Sequence, residues 1–191
     1  MLAIRGGMIQ DWMGAVFVPG VKLQQALSVV QDYEHHKEIY KPEIADAKVR
    51  SRSGNDFEVY MRIVKAKLLL ADVLDTEHAI QFTTVDPHRV YSRSRSTRIA
   101  EVSDAGKPGE HDLPVGHDRG FLWRIFGYWF FEERDGGVYI TCESITLTRD
   151  LPFALGKILG PVLRELPGES VKSSLEQTRT AILALSARGG L

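Results

Sequence analysis

Gly120-Phe121-Leu122-Trp123-Arg124-Ile125-Phe126-Gly127-Tyr128-Trp129-Phe130-Phe131, a turn at Gly136-Gly137, and then Val138-Tyr139-Ile140-Thr141-Cys142-Glu143-Ser144-Ile145-Thr146-Leu147-Thr148-Arg149 decide how this chain is read. Aromatic residues occupy both alternation sets of the first run, so it is expected to form a long strand with an apolar load on both faces. The second run pairs back on it as a hairpin, yet carries Glu143 and many hydroxyls. An apolar wall interrupted by a few polar groups is the lining of a small-molecule pocket.

Outward from this hairpin, turn chemistry divides residues 43–149 into six strand-like runs, roughly 43–52, 56–66, 69–84, 89–103, 120–134 and 138–149. Upstream, Trp12 to Val18 reads as a first strand ended by Pro19-Gly20. Leu23, Ala26, Leu27 and Val30 then recur at helical spacing, and Glu34 to Tyr40 makes a second short helix stopped by Lys41-Pro42. His35-His36 is expected at a solvated helix end. The loop 104–118, rich in Gly, Pro and charge, is expected to be a flexible tip or a pocket lid. Downstream, Phe153 to Leu166 reads as a helix broken at Gly160-Pro161, with a second break at Pro167-Gly168. A long amphipathic helix follows, with Val171, Leu175, Thr178, Ile182 and Leu185 on one face. The expected architecture is α+β. One domain spans 1–191 with its core at about 12–187, a curved antiparallel sheet of about seven strands wraps a long C-terminal helix, and two short helices follow strand one. One helix does not fill such a sheet, so a cavity is expected between them.

Composition excludes several classes of function. A chain of 191 residues that is 43% hydrophobic buries a core of its own as one domain. Lys and Arg number 24 against 25 Asp and Glu, and a net charge of -1 gives no field for nucleic-acid binding. The single cysteine, Cys142, makes neither a disulfide framework nor a cysteine zinc site. His111, Asp112, His117 and Asp118 share a Gly/Pro-rich loop, which does not hold three or four ligands in place, so neither metal nor cofactor is expected. No apolar run approaches the ~20 residues of a membrane-spanning helix, so no integral membrane segment is expected. Met1 to Ile9 lacks a secretory h-region, which makes a cytoplasmic location the default and leaves open secretion with a leader removed.

Asp32-Tyr33-Glu34-His35-His36-Lys37-Glu38-Ile39-Tyr40-Lys41-Pro42 resembles the segment after the first helix of START-like (SRPBCC) proteins. Tyr128-Trp129-Phe130-Phe131, Gly136-Gly137-Val138-Tyr139 and the final helix after Pro167 resemble the polyketide cyclase/dehydrase and lipid-transport branch, which includes coenzyme Q-binding members. The likeness covers about residues 12–187 and rests mainly on the order of elements. It implies the helix-grip fold, shared with birch-pollen-allergen-like proteins, and a ligand tunnel between sheet and C-terminal helix. It does not imply a reaction. No catalytic residue of the aromatase/cyclase members maps onto a numbered position here.

The expected function is binding or transport of a hydrophobic small molecule of lipid, quinone or polyketide type. Trp123, Trp129, Phe131, Ile145 and Leu147 are expected to supply apolar contact, with Arg95 and Glu143 as polar anchors. Tyr60 and Arg62 join them if a bulge turns them inward; otherwise they sit in solvent, as strand-face arginines commonly do. The alternative is a cyclase/dehydrase-type enzyme in which Glu143 moves a proton and Tyr60 or Arg62 steadies an enolate. A third class is a protein-interaction module, which would show an exposed apolar patch instead of a tunnel.

Overall fold

The computed structural model describes residues 1–67, 70–114, 122–149 and 153–189. Nine strands make one antiparallel sheet: β1 (Leu2–Ile4), β2 (Gly7–Pro19), β3 (Ile44–Ser53), β4 (Asp56–Lys67), β5 (Leu70–Asp86), β6 (Arg89–Ser103), β7 (His111–Asp112), β8 (Leu122–Arg134) and β9 (Gly137–Arg149). They run in the order β1-β2-β9-β8-β6-β5-β4-β3, with β7 on β6. Helices α1 (Leu23–Val30) and α2 (His36–Ile39) follow β2, and α3 (Phe153–Ala187) follows β9. This is the helix-grip α+β architecture.

The strand count exceeds the expected seven for local reasons. Gly6, at φ +76, turns the chain so that β1 pairs with an extended start of β2. The loop after β6 doubles back, and β7 pairs through Val102↔Asp112 and Ser103↔His111. Residues 104–114 are therefore not a free tip; residues 115–118 of the expected loop lie outside the described residues. α3 is one helix through both positions expected to break it. A helix-interior proline costs about 3 kcal/mol, and beyond both prolines Val171, Leu175 and Ile182 of the same helix are buried in the core.

α3 lies mainly on β2 and β9. A Cβ built on Gly14 would stand 2.9 Å from Leu175 Cδ1, so strand backbone and helix side chain meet directly there. At Gly168 the approach is reversed, because a Cβ on the helix would fall 2.7 Å from the Trp12 ring. Gly14 pairs with Cys142, which sits in the core with Val171, Leu175 and Ile182. Even-numbered residues of β2 and β9 therefore face α3, as do Phe57, Val59, Ile80, Phe82, Val90 and Phe131. The odd residues of β2 and β9 form the outer face, where Met13 is 66% exposed.

Other anchors close one end of the molecule. Glu133 at the end of β8 accepts the Leu23 N–H and the Lys22 ammonium, fixing the start of α1. Tyr40 Oη bonds Thr178 Oγ1 at 2.9 Å in the interior, and Gln177 Nε2 donates to the Lys41 carbonyl. His36 is buried between the Tyr33 and Tyr40 rings, correcting the expectation of a solvated helix end for it. His35, in contact with Asp32, remains exposed as expected.

On the outer face, Tyr60, Arg62, Asp75, Arg98, Glu110 and Asp112 make one polar network. Arg62 donates to both Asp75 oxygens at 2.8 Å and to Glu110 at 2.8 Å, Tyr60 Oη donates to Asp75 at 2.7 Å, and Arg98 donates to Asp112. The network ties the returning loop to β4, β5 and β6. Burial pushes the Asp75 carboxyl up, but hydrogen bonds from Arg62 and Tyr60 together with the guanidinium charge outweigh it and hold the carboxyl below its ordinary range.

Replacing Leu175 with Ala is expected to cost about 2 to 5 kcal/mol in chemical denaturation, because a side chain that touches strand backbone leaves a cavity that nothing collapses to fill. A loss below about 0.5 kcal/mol would place the helix at the periphery. Because the Asp75 carboxyl is depressed in the folded state, its contribution is present above the ordinary carboxylate pKa and drains away as pH falls below about 4. Thermal melts from roughly pH 7 to pH 3 are expected to show a shallower acid decline for Asp75→Asn than for the wild type; equal slopes would mean the ion pair contributes nothing to acid sensitivity.

Candidate functional site

Register places a row of small residues across the helix face of the sheet: Ser94 of β6 opposite Gly127 of β8, which lies opposite Ser144 of β9, which lies opposite Trp12 of β2. Among the described residues a Cβ added at Gly127 would meet only Ser94 Cβ, at 3.8 Å. The same operation at Gly14 collides with α3. Among the described residues the helix is thus seated on β2, with β9 next and fewer contacts to β8 and β6. Ser94, Gly127, Trp129 and Ser144 keep some accessible surface although their face is the covered one, as residues bordering a cavity do.

The trough has a polar middle between two apolar ends. At one end lies the main core around Phe131, Ile140 and Leu175; at the other, Ile63, Leu74 and Ile99 gather Met61, Leu122 and Ile125. Between them His78 is 6% exposed, with Nε2 3.0 Å from Thr76 Oγ1 and Nδ1 3.5 Å from Ser94 Oγ. Burial pushes its imidazole pKa down to about 4, so it is neutral at neutral pH. Ser96 accepts the Ile125 N–H at 3.0 Å, and the Thr148 hydroxyl donates to the Met8 carbonyl. Two buried polar atoms here have no hydrogen-bond partner among the described residues, Trp12 Nε1 and Thr146 Oγ1.

Of the nine residues singled out in the sequence, Trp129 and Phe131 face the helix, their rings stacked at 6.2 Å between centroids. Glu143 does not. It pairs with Met13 and Tyr128, both exposed, and so stands on the outer face; Ile145 and Leu147 share that side by strand alternation. The anchor and proton-transfer roles considered for Glu143 lose their geometry. Tyr60 and Arg62 stay outside in the Asp75 network, since β4 pairs in unbroken register with β5 and no bulge turns them inward. Trp123 sits at the β8 irregularity beneath the Arg149 guanidinium, 5.2 Å from the ring centre.

Arg95 also lies outside. With Arg93, Gln81, Glu58, Phe126 and Tyr128 it lines an open groove of about 650 Å³ whose walls carry both signs of charge. The β6 residues break alternation once, at Thr97, where the register shifts between His78↔Ser96 and Glu77↔Arg98. Arg98 thereby joins Arg93 and Arg95 outside, and Ser92, Ser94 and Ser96 line the inside.

The residues that build the trough, His78, Ser94, Ser96, Gly127, Ser144, Thr146 and Trp12, were not singled out by the sequence. A signal for them existed: in Arg93-Ser94-Arg95-Ser96 an unpaired arginine is not buried, so the serines are the set that faces the helix. The same alternation sets Cys142, Ser144 and Thr146 against Glu143.

No family model matches the chain, and no curated protein sequence matches it. Solved structures do. The chain is similar to the ZhuI aromatase/cyclase from Streptomyces sp. R1128, with a TM-score of 0.67 and 10% identity over 96% of this chain and 100% of that one. It is similar to TTHA0849 from Thermus thermophilus, at 0.66 and 16% over 93% and 99%. A STAR-related lipid transfer protein from Xanthomonas axonopodis gives 0.59 and 13% over 95% and 96%. Identities this low carry architecture and not chemistry. The chain has the START-like, helix-grip fold.

Proposed function

We propose that this protein binds and carries a hydrophobic small molecule, of lipid, quinone or polyketide type, in the space between α3 and strands β5, β6, β8 and β9. The observation that supports this most is the bare backbone at Gly127, where among the described residues an added Cβ would meet only Ser94: a covered sheet face with a backbone floor, partly accessible walls and a few oriented polar groups is what a ligand site requires. Trp129 supplies a flat apolar wall, and Ser94, held by His78, supplies a polar contact. The similar lipid-transfer and aromatase/cyclase structures use the same scaffold, which agrees with a ligand-holding role.

Catalysis of the cyclase/dehydrase type has weaker support. With Glu143, Tyr60 and Arg62 on the outer face, the titratable side chains on the inner face of β5 and β6 among the described residues are Glu101, which lies opposite Leu74, and His78. A pKa of about 4 makes His78 a poor general base at neutral pH, where an efficient base is tuned near the working pH. With its two ring nitrogens on Thr76 and Ser94, the neutral imidazole is better matched to orienting the Ser94 hydroxyl.

Native mass spectrometry of freshly purified protein is expected to show a co-purifying small hydrophobic molecule. Gly127→Val covers that backbone floor with a β-branched side chain suited to a strand, so it is expected to hold the melting temperature within about 5 °C and to lose the adduct. A variant that folds and retains the adduct would move the ligand away from this trough.

A further inference from the structure

Resting on that reading, we infer that the trough is built for a ligand bearing an uncharged oxygen acceptor, a ketone or quinone carbonyl, which the Thr146 hydroxyl and the Trp12 indole N–H bind at its β9/β2 end. Thr146 is 7% exposed, and its Oγ1 has no hydrogen-bond partner among the described residues; the same holds for Trp12 Nε1. A buried donor left unsatisfied costs roughly 1 to 3 kcal/mol, and native interiors contain few of them. Two such donors are neighbours here. Trp12 lies opposite Ser144 and Gln10 lies opposite Thr146, so the indole and the hydroxyl come from adjacent positions on adjacent strands.

Both stand where the small-residue row Ser94–Gly127–Ser144 leads. The row makes room for an elongated ligand to lie across the strands, and the two donors wait at its end. The indole N–H can only donate and the hydroxyl can donate beside it, so one acceptor oxygen satisfies both. The neighbours also set its charge. Neither donor carries charge, and the strand arginines Arg93, Arg95 and Arg98 all point to the other face. With no cation facing the two donors among the described residues, a carboxylate or phosphate would be desolvated here without a counter-ion from them, which costs far more than two neutral hydrogen bonds return. A carbonyl oxygen accepts two hydrogen bonds and carries no such penalty.

The test uses an isosteric pair of probes, 2-acetylnaphthalene and 2-ethylnaphthalene, and an isosteric substitution, Thr146→Val. Wild-type protein in calorimetric titration is expected to prefer the ketone by about tenfold or more, in line with hydrogen bonds the hydrocarbon cannot make. Thr146→Val is expected to reduce that preference to about threefold or less and to raise the melting temperature of the ligand-free protein, because a methyl group removes an unsatisfied hydroxyl without changing shape. Thr146→Ser keeps the hydroxyl and is expected to retain the preference. Trp12→Phe removes the other donor and is expected to weaken ketone binding more than hydrocarbon binding. Equal affinity of the wild type for both probes, or an unchanged preference in Thr146→Val, overturns the inference while leaving the apolar pocket intact. Failure of both probes to bind overturns the pocket reading itself.

Discussion

Two missing side chains govern this molecule. Because Gly14 has no Cβ, Leu175 reaches the backbone of β2; because Gly168 has none, the ring of Trp12 reaches the backbone of α3. A strand and a helix in contact at two points some distance apart have a fixed line of closest approach. A twisted sheet falls away from any straight element laid along one of its strands. The fewer contacts with β8 and β6 among the described residues therefore follow from the seating on β2, and Gly127 has no side chain to add to them.

The inner face is divided accordingly. Where α3 and α1 press on the sheet, side chains are large and apolar, as at Phe131, Ile140 and Ile182, because closely packed contacts there supply most of the stability. Where the helix makes fewer contacts, Ser94, Ser96, Ser144 and Thr146 take the same alternation positions. Apolar residues at those positions would invite the helix to collapse onto the sheet. Hydroxyls and glycine give little for a collapsing helix to bury, so the space is kept at a small cost in stability. His78 fits the same logic, since its two ring nitrogens engage Thr76 and Ser94 and its charge is suppressed by burial.

The architecture was legible in the sequence because it depends on coarse signals. The alternation in the Gly120–Phe131 and Val138–Arg149 runs, the turn at Gly136-Gly137 and the Val171–Leu175–Ile182 spacing each report burial against a long partner, which survives errors of a residue or two. The site was less legible because it depends on which alternation set faces inward. Glu143 was drawn inside by its company with Ile145 and Leu147, yet this stretch of outer face is itself partly apolar, with Tyr128, Phe130 and Met13 exposed. With apolar groups on both faces, hydrophobicity does not choose between them. The arginines of β6 do choose, since Arg93 and Arg95 are not buried unpaired, and their strand neighbours carry the assignment to β8 and β9 by register. The Thr97 shift and the unbroken α3 lay beyond such reasoning, because both arise from pairing and packing that are not local in the chain.

The same partition explains how 10% to 16% identity accompanies likeness over nearly the whole chain. What the fold demands is small residues where helix and sheet touch, apolar residues where they pack, and alternation elsewhere, conditions that many sequences meet. Apart from Trp12 on β2, which also seats α3, the ligand contacts proposed above fall on a few inward positions of β5, β6, β8 and β9. These can change without disturbing the anchor on β2, since they border space and not packed atoms. The Arg62–Asp75–Tyr60 network lies across the sheet from the trough and holds the loop returning after β6, so it shapes the scaffold and not the lining. On the proposed reading, ligand preference would be set mainly by side chains that contribute little to stability, with Trp12 the point where anchor and trough meet.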